Sequence, residues 1–442
     1  MLNLLTEFMK YIFIIMIAVY TIYAFRSASA KTERRKNKLA FTQRVIMFLF
    51  HGLCFGLLYL RTMDGQMVVF YLAQLIFFVA LFVLYRVIYP KASKLLLNNM
   101  CMLLMIGSIM LARLSFPKAV RQFEIAAVSS LITMVVPYVF RKFHQLEEFT
   151  WVYAVTGIIL LALVFIIGQV TYGAKLSFEV AGIGVQPSEF VKIIYVFFIA
   201  SMLAKSKELY QIGITSVFAG LHVIILVVSK DLGSALIFFI AYLFMVLVAT
   251  HRILYFSVVT LAGCIAAVLA YFLFRHVQVR VIAFLDPFSV IDNEGYQVTQ
   301  SLFAIGTGGW FGMGLYGGYP KLIPVVEEDF IFSAISEEFG ILFSICVVMI
   351  YLCCFVAFLQ ASLRTRNQFF CLVATGLACV LGFQTFLTIG GAVKFIPSTG
   401  VTLPLISYGG SSCFSTLIIF AIVQGIYISL REREEMERGE YQ

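Results

Sequence analysis

The chain has 442 residues, of which 62% are hydrophobic, 16% aromatic and only 12% charged, with a mean hydropathy of +0.98. So few charges cannot cover a water-exposed surface, which excludes a soluble globular enzyme. The 32 Lys and Arg outnumber the 23 Asp and Glu to give +9, but these cations fall mostly in short connections between apolar runs, a signature of membrane topology rather than of nucleic-acid binding.

Apolar runs of helix length lie near 8–25, 43–60, 67–89, 95–112, 124–140, 151–170, 189–204, 212–229, 232–249, 253–274, 330–358, 368–390 and 408–430. Each is continuous rather than alternating, so a β-barrel is excluded and the expected fold is all-α, a polytopic membrane bundle of about 13 transmembrane helices. The first run has no small-residue cleavage site after it and is expected to stay as an anchor. The connection 26–44 carries Arg26, Lys31, Arg34, Arg35, Lys36, Lys38 and Arg44. With alternate connections it holds most of the cations, so the N-terminus is expected outside and the tail 431–442 in the cytoplasm.

One connection, 275–329, is far longer than the rest and faces outward in that scheme. Its glycines (Gly306, Gly308, Gly309, Gly312 and others) and aromatics (Tyr296, Trp310, Phe311, Tyr319) predict an ordered lid at the membrane interface. Cys54, Cys101, Cys264, Cys346, Cys353, Cys354, Cys371, Cys379 and Cys413 sit in or beside apolar runs without metal spacing and read as small lipid-phase residues. His51, His144, His222, His251 and His276 are scattered, which argues against a histidine-based catalytic or zinc site.

Ionisable groups in or at the end of a span are costly and therefore candidates for function. Asp329 closes Glu327-Glu328-Asp329 directly before Phe330-Ile331-Phe332. A carboxylate at that boundary suits a general base, or simply caps a helix. Glu189 and Lys192 are three apart on a predicted helix, so they share a face; they either neutralise each other or hold a phosphate. Arg280 is an outward cation or an interface anchor. Asp231 before Leu232-Gly233-Ser234 reads as a cap. Pro397–Gly400 and Pro404–Ser412, with Gly409, Gly410 and Ser411 before the last run, suit either a pyrophosphate at a helix N-terminus or a tight turn of small residues.

In order, Gly173-Ala174, Gln186-Pro187-Ser188-Glu189 with Lys192, Asp231-Leu232-Gly233, Arg280 to Pro287, Gly295-Tyr296-Gln297, Glu328-Asp329-Phe330-Ile331-Phe332, Glu337-Glu338-Phe339-Gly340 and Pro397 to Ser412 resemble the SEDS family of shape, elongation, division and sporulation proteins, which includes FtsW, RodA and SpoVE. The resemblance covers about 95–430. It implies a ten-helix core with the long outward loop between its seventh and eighth spans, leaving 1–94 as a three-helix addition. It further implies a peptidoglycan glycosyltransferase that polymerises lipid II, the undecaprenyl-pyrophosphate-linked disaccharide pentapeptide, at the outer face of the bacterial cytoplasmic membrane. A class B penicillin-binding protein is the implied partner.

Asp329 matches the family's essential carboxylate, as base or as ligand for a divalent cation, Mg or Mn. Lys192, with Glu189, and Arg280 fall on positions near the family's cavity, where they would hold the donor pyrophosphate; Glu328 and Glu338 accompany them. No nucleotide, haem or nucleic acid is implied. The chain departs from the family where Leu176 and Ser177 replace an Arg-Trp pair, where Lys230 replaces a common Pro and where Thr388 replaces an Asn. Two other roles fit the same residues: a flippase for lipid II, and a non-catalytic scaffold.

Overall fold

The computed structural model describes residues 2–437 and 439, apart from 144, 172, 173, 181 and 182. His144, Gly173 and the end of the 431–442 tail thus lie outside the described residues. In chain order the helices are α1 (Leu2–Ala28), α2 (Glu33–Thr62), α3 (Gly65–Ile88), α4 (Lys94–Leu114), α5 (Phe116–Thr133), α6 (Val135–Lys142), α7 (Thr150–Ile167), α8 (Pro187–Lys205), α9 (Leu209–Val228), α10 (Leu232–Thr250), α11 (Ile253–Leu273), α12 (Arg275–Leu285), α13 (Tyr296–Gly308), α14 (Ile331–Phe339), α15 (Ile341–Arg364), α16 (Gln368–Ala392) and α17 (Gly410–Glu437).

Among the described residues, twelve helices are long and apolar enough to cross a membrane, with α5 and α6 counted as one; Thr150–Ile166 is apolar but shorter. The break between α5 and α6 has a local cause. Pro137 has no N–H to offer the carbonyl four residues back, at Thr133, where α5 ends.

The run expected over 151–170 stops at Ile167. Three short antiparallel strands follow, β1 (Gln169–Thr171), β2 (Ala174–Val180) and β3 (Ile183–Val185), with Phe178 opposite Val185. The alternation Lys175, Ser177, Glu179 against Leu176, Phe178, Val180 is strand-like, a signal overshadowed by the apolar run before it. The 275–329 connection likewise carries α12, α13 and a 3-10 turn at Pro320–Leu322, not irregular chain throughout.

The helices sort into two compact units. The first comprises the chain up to Leu131, Ala283–Ala357 and Thr388–Gly409; the second comprises Ile132–Ile282, Phe358–Leu387 and the chain from Gly410 on. In the first, α4 is the hub, 94% of its apolar window being buried. The residues N-terminal to 94 pack within this unit: Tyr20 donates to Asn99 at 3.0 Å and Arg44 to Asn98 at 2.9 Å, and Asn98 donates to the Ala40 carbonyl at 2.9 Å. In the second, α8 packs against α7, α9, α10 and α17.

Candidate active site

Asp329 lies in the first unit, half-buried, in a turn that ends at Phe330, the residue capping α14. It thus stands one residue before the cap position. Its neighbours are pinned by the loop ahead of α17. The Ser407 hydroxyl donates to the Glu328 carbonyl, and the Tyr408 N–H donates to the Glu327 carbonyl at 2.7 Å. That loop is itself carried by α4 and α5. Gln122 donates to the Ser407 carbonyl at 3.3 Å and accepts from the Gly409 N–H at 3.1 Å. At Gly107 a β-carbon would sit 2.8 Å from the Leu405 and Ile406 carbonyls, so only glycine admits the loop this close to α4.

Charge concentrates in the same turn. The Lys118 ammonium is 3.6 Å from Glu327 and 4.0 Å from Glu328, and 5.3 Å from the centre of the Tyr408 ring. Burial raises the pKa of Glu328; the negative Asp329 adds to the rise, Lys118 opposes it, and Glu327 contributes a further rise. No three His, Cys, Asp or Glu side chains converge as metal ligands among the described residues. The turn therefore offers a divalent cation one or two hard oxygens rather than a closed cage.

The far end of α14 is tied down by carboxylates. Glu338, fully buried, accepts from Arg113 at 2.8 Å, and Arg113 also donates to the Gly318 carbonyl at 3.2 Å and lies 4.0 Å from the Tyr316 ring centre. Glu337 accepts from the Tyr319 N–H at 2.8 Å. Both acids thus act on the loop, holding 316–319 against the helix.

Glu189 and Lys192 lie in the second unit on one face of α8, 7% and 3% exposed, and form an ion pair. Two bonds complete the cluster: Lys192 donates to Gln384 at 2.8 Å, and Ser415 donates to Glu189 at 2.8 Å. The Gln384 amide also reaches Ser412 at 3.3 Å. Every polar atom named here has a partner, as burial among helices demands.

Asp231 caps α10 by accepting from the Ser234 N–H at 3.1 Å, as expected, and also accepts from Ser188 at 2.9 Å and Gln186 at 3.3 Å. Lys230 beside it has φ +65°, a value closed to the proline that is usual there. The hydroxyl of Ser411 accepts from the Gln186 N–H at 3.0 Å and donates to Gly184 at 3.3 Å. Gly410 opens α17, and the Gly409 N–H, read as a donor to a pyrophosphate or as part of a tight turn, is used by Gln122. Arg280 is half-buried on α12 in the second unit.

Gln384, Ser415, Gln122, Lys118 and Arg113 escaped the sequence reading. Neutral polar residues within apolar runs, at 384 and 415, are the signal that marks the first two. Thr388, where the family commonly has Asn, donates to the Val401 carbonyl at 2.8 Å and so closes the loop after α16.

A family model described as "Cell cycle protein", for FtsW, RodA and SpoVE, matches residues 93–432. The chain belongs to the FtsW/RodA/SpoVE family. Among curated relatives, the peptidoglycan glycosyltransferase RodA of Mycobacterium leprae is 32% identical over 368 residues, covering 77% of this chain and 79% of that one. A protein of Wigglesworthia glossinidia brevipalpis, named "Probable peptidoglycan glycosyltransferase FtsW", is 31% identical over 310 residues, 68% of this chain and 80% of its own. Solved structures share the fold. A peptidoglycan synthase complex that coordinates polymerisation and crosslinking contains a chain with TM-score 0.63 at 24% identity, covering 78% of this chain and 98% of that one. RodA of Thermus thermophilus matches with TM-score 0.57 at 22% identity, over 80% and 99%. Family membership and the run of apolar helices make this a multi-pass membrane protein with an all-α bundle fold.

Proposed function

We propose that this FtsW/RodA/SpoVE-family chain is a peptidoglycan glycosyltransferase polymerising lipid II at the outer face of the bacterial cytoplasmic membrane, with Asp329 as the group that acts on the acceptor. The observation that carries the reading is the carboxylate of Asp329, half-buried in a turn fixed by the Ser407 and Tyr408 bonds and by α14. In the reaction the acceptor sugar hydroxyl loses its proton to Asp329. Its oxygen then bonds to the anomeric carbon of the donor as the bond to undecaprenyl pyrophosphate breaks. A base held at one place before the substrate arrives contributes by position as well as by proton affinity.

Asp329 would hold a divalent cation, Mg or Mn, in the acid-rich turn, since such ions need only one or two protein carboxylates. Such an ion, when bound, would neutralise charge building on the leaving pyrophosphate. Lys192 and Arg280, both in the second unit, are the cations proposed to hold a pyrophosphate group. Lys192 is already held by Glu189 and Gln384, so its role is a fixed point charge rather than a mobile arm. A class B penicillin-binding protein is the expected partner, to crosslink the strands produced.

The buried Glu189–Lys192 pair favours one second reading, a transporter that flips lipid II, because paired charges inside helices also mark translocation pathways. Polymerisation from purified lipid II separates the two. Polymer from the wild type with partner and divalent cation, and none from Asp329→Asn, supports the transferase; absence of polymer from both, with the partner bound, sinks it.

A further inference from the structure

Residues 1–92 lie outside the family match, yet α1 touches the segment that leads to Asp329, and α1 and α2 both pack on the end of α14 and the start of α15 that follow it. The Lys10 ammonium, paired with Glu7 at 2.6 Å, donates to the Gly312 carbonyl at 3.3 Å. Tyr11 packs on Phe311 with ring centres 5.4 Å apart, and a β-carbon at Gly314 would lie 2.6 Å from the Thr6 side chain. Deeper in the unit, Phe13 stands edge-on to Phe339, the last residue of α14, at 5.9 Å, and to Phe50 at 5.5 Å, while Phe50 meets Phe343 at 5.7 Å. All four rings are buried.

The segment they touch has little stability of its own. Gly309, Gly312 and Gly314 have φ of +53°, +78° and +84°, and the bonds that order this turn run to α14 and α15: Met313 N–H to Glu337 at 2.8 Å, Gly314 N–H to Glu338 at 2.9 Å, and Ile341 N–H to the Gly309 carbonyl at 2.9 Å. At nine residues, α14 is too short to be stable by itself, so its direction comes from what packs on it. Asp329 stands two residues before its first turn.

We infer that α1 and α2 position Asp329 through the 309–314 turn and Phe339, which makes the N-terminal extension a working part of the site. Lys10 and Phe13 are positioning residues, and the inference rests on the reading of Asp329 given above. The test uses the full-length protein in nanodiscs, with lipid II polymerisation kinetics and backbone hydrogen exchange. Lys10→Ala and Phe13→Ala lower kcat by about tenfold with KM almost unchanged, since displacing a catalytic group mainly costs turnover. Exchange at 309–314 and 327–331 rises in both, and Lys10→Arg and Phe13→Leu regain most of the rate. Val69→Ala, on an exposed position of α3, serves as control. Unchanged kcat in the two alanine variants overturns the inference, and so does a rate loss matched by Val69→Ala or accompanied by faster exchange throughout the chain. Asp329→Asn, assayed alongside, separates the two readings. Polymer from that variant sinks the base assignment, whereas its loss there and persistence in Lys10→Ala sinks only the positioning role.

Discussion

Single residues here act through neighbours that set their charge state. Glu328 shows this with a definite sign. Burial and the adjacent acids raise its pKa above the unfolded value of 4.5, so the folded state holds its proton more tightly than the unfolded chain. The stability this contributes is complete below 4.5 and is lost as pH rises through the higher folded value. Melting temperatures followed across that window should fall in the wild type, and the fall should be smaller in Glu328→Gln. Lys192 gives the opposite lesson, because a buried ion pair resists removal of either half. Lys192→Met leaves Glu189 charged and buried, and thermal unfolding should register a loss of about 3–5 kcal/mol, with most of it recovered in the double variant Lys192→Met/Glu189→Gln.

At the scale of elements, the glycine-rich turn and α14 form one device. Gly340 has φ +86° and the turn crosses it so closely that a β-carbon at Gly312 would meet the Glu338 carbonyl at 2.4 Å and the Gly340 nitrogen at 2.6 Å. Gly312→Ala has no room to relax, since both obstacles are backbone. It should destabilise the protein by about 1–3 kcal/mol or more and depress polymerisation, as circular dichroism melts and the lipid II assay would show. Between α2 and α4 the joint is polar. Arg44→Ala strips Asn98 of a donor inside the unit, with an expected cost of about 1–3 kcal/mol in the same melts, whereas Arg44→Lys restores part of it.

For the molecule as a whole, the hub helix α4 depends on the residues before it. Removing 1–92 would leave Asn98 and Asn99 without their partners Arg44, Ala40 and Tyr20 and expose apolar surface along α4. The truncated chain should lose the monodisperse peak of the full-length protein in size-exclusion chromatography, and a sharp, active peak from it would refute this dependence.

How much of this was legible in the sequence follows from range. Membrane character and the approximate places of most long helices were, because about twenty consecutive apolar residues are a local property, whereas the breaks between α5 and α6 and at Gly340 within the expected run 330–358 were not. The pairing of Glu189 with Lys192 and the capping role of Asp231 were too, since a three-residue spacing or a helix start fixes them. The motif order around Asp329 carried the family. The short sheet at 169–185 was missed, because a brief alternation beside a long apolar run is a weak signal. Only the tertiary structure brought Gln384 and Ser415 to the buried pair, Lys118 and Ser407 to the acidic turn, Lys10 to the segment ahead of Asp329 and Phe13 to the end of α14. These partners lie tens to hundreds of residues apart in the chain. No periodicity encodes such meetings; they follow from which helix faces pack together, and that is decided by the fit of all the side chains at once.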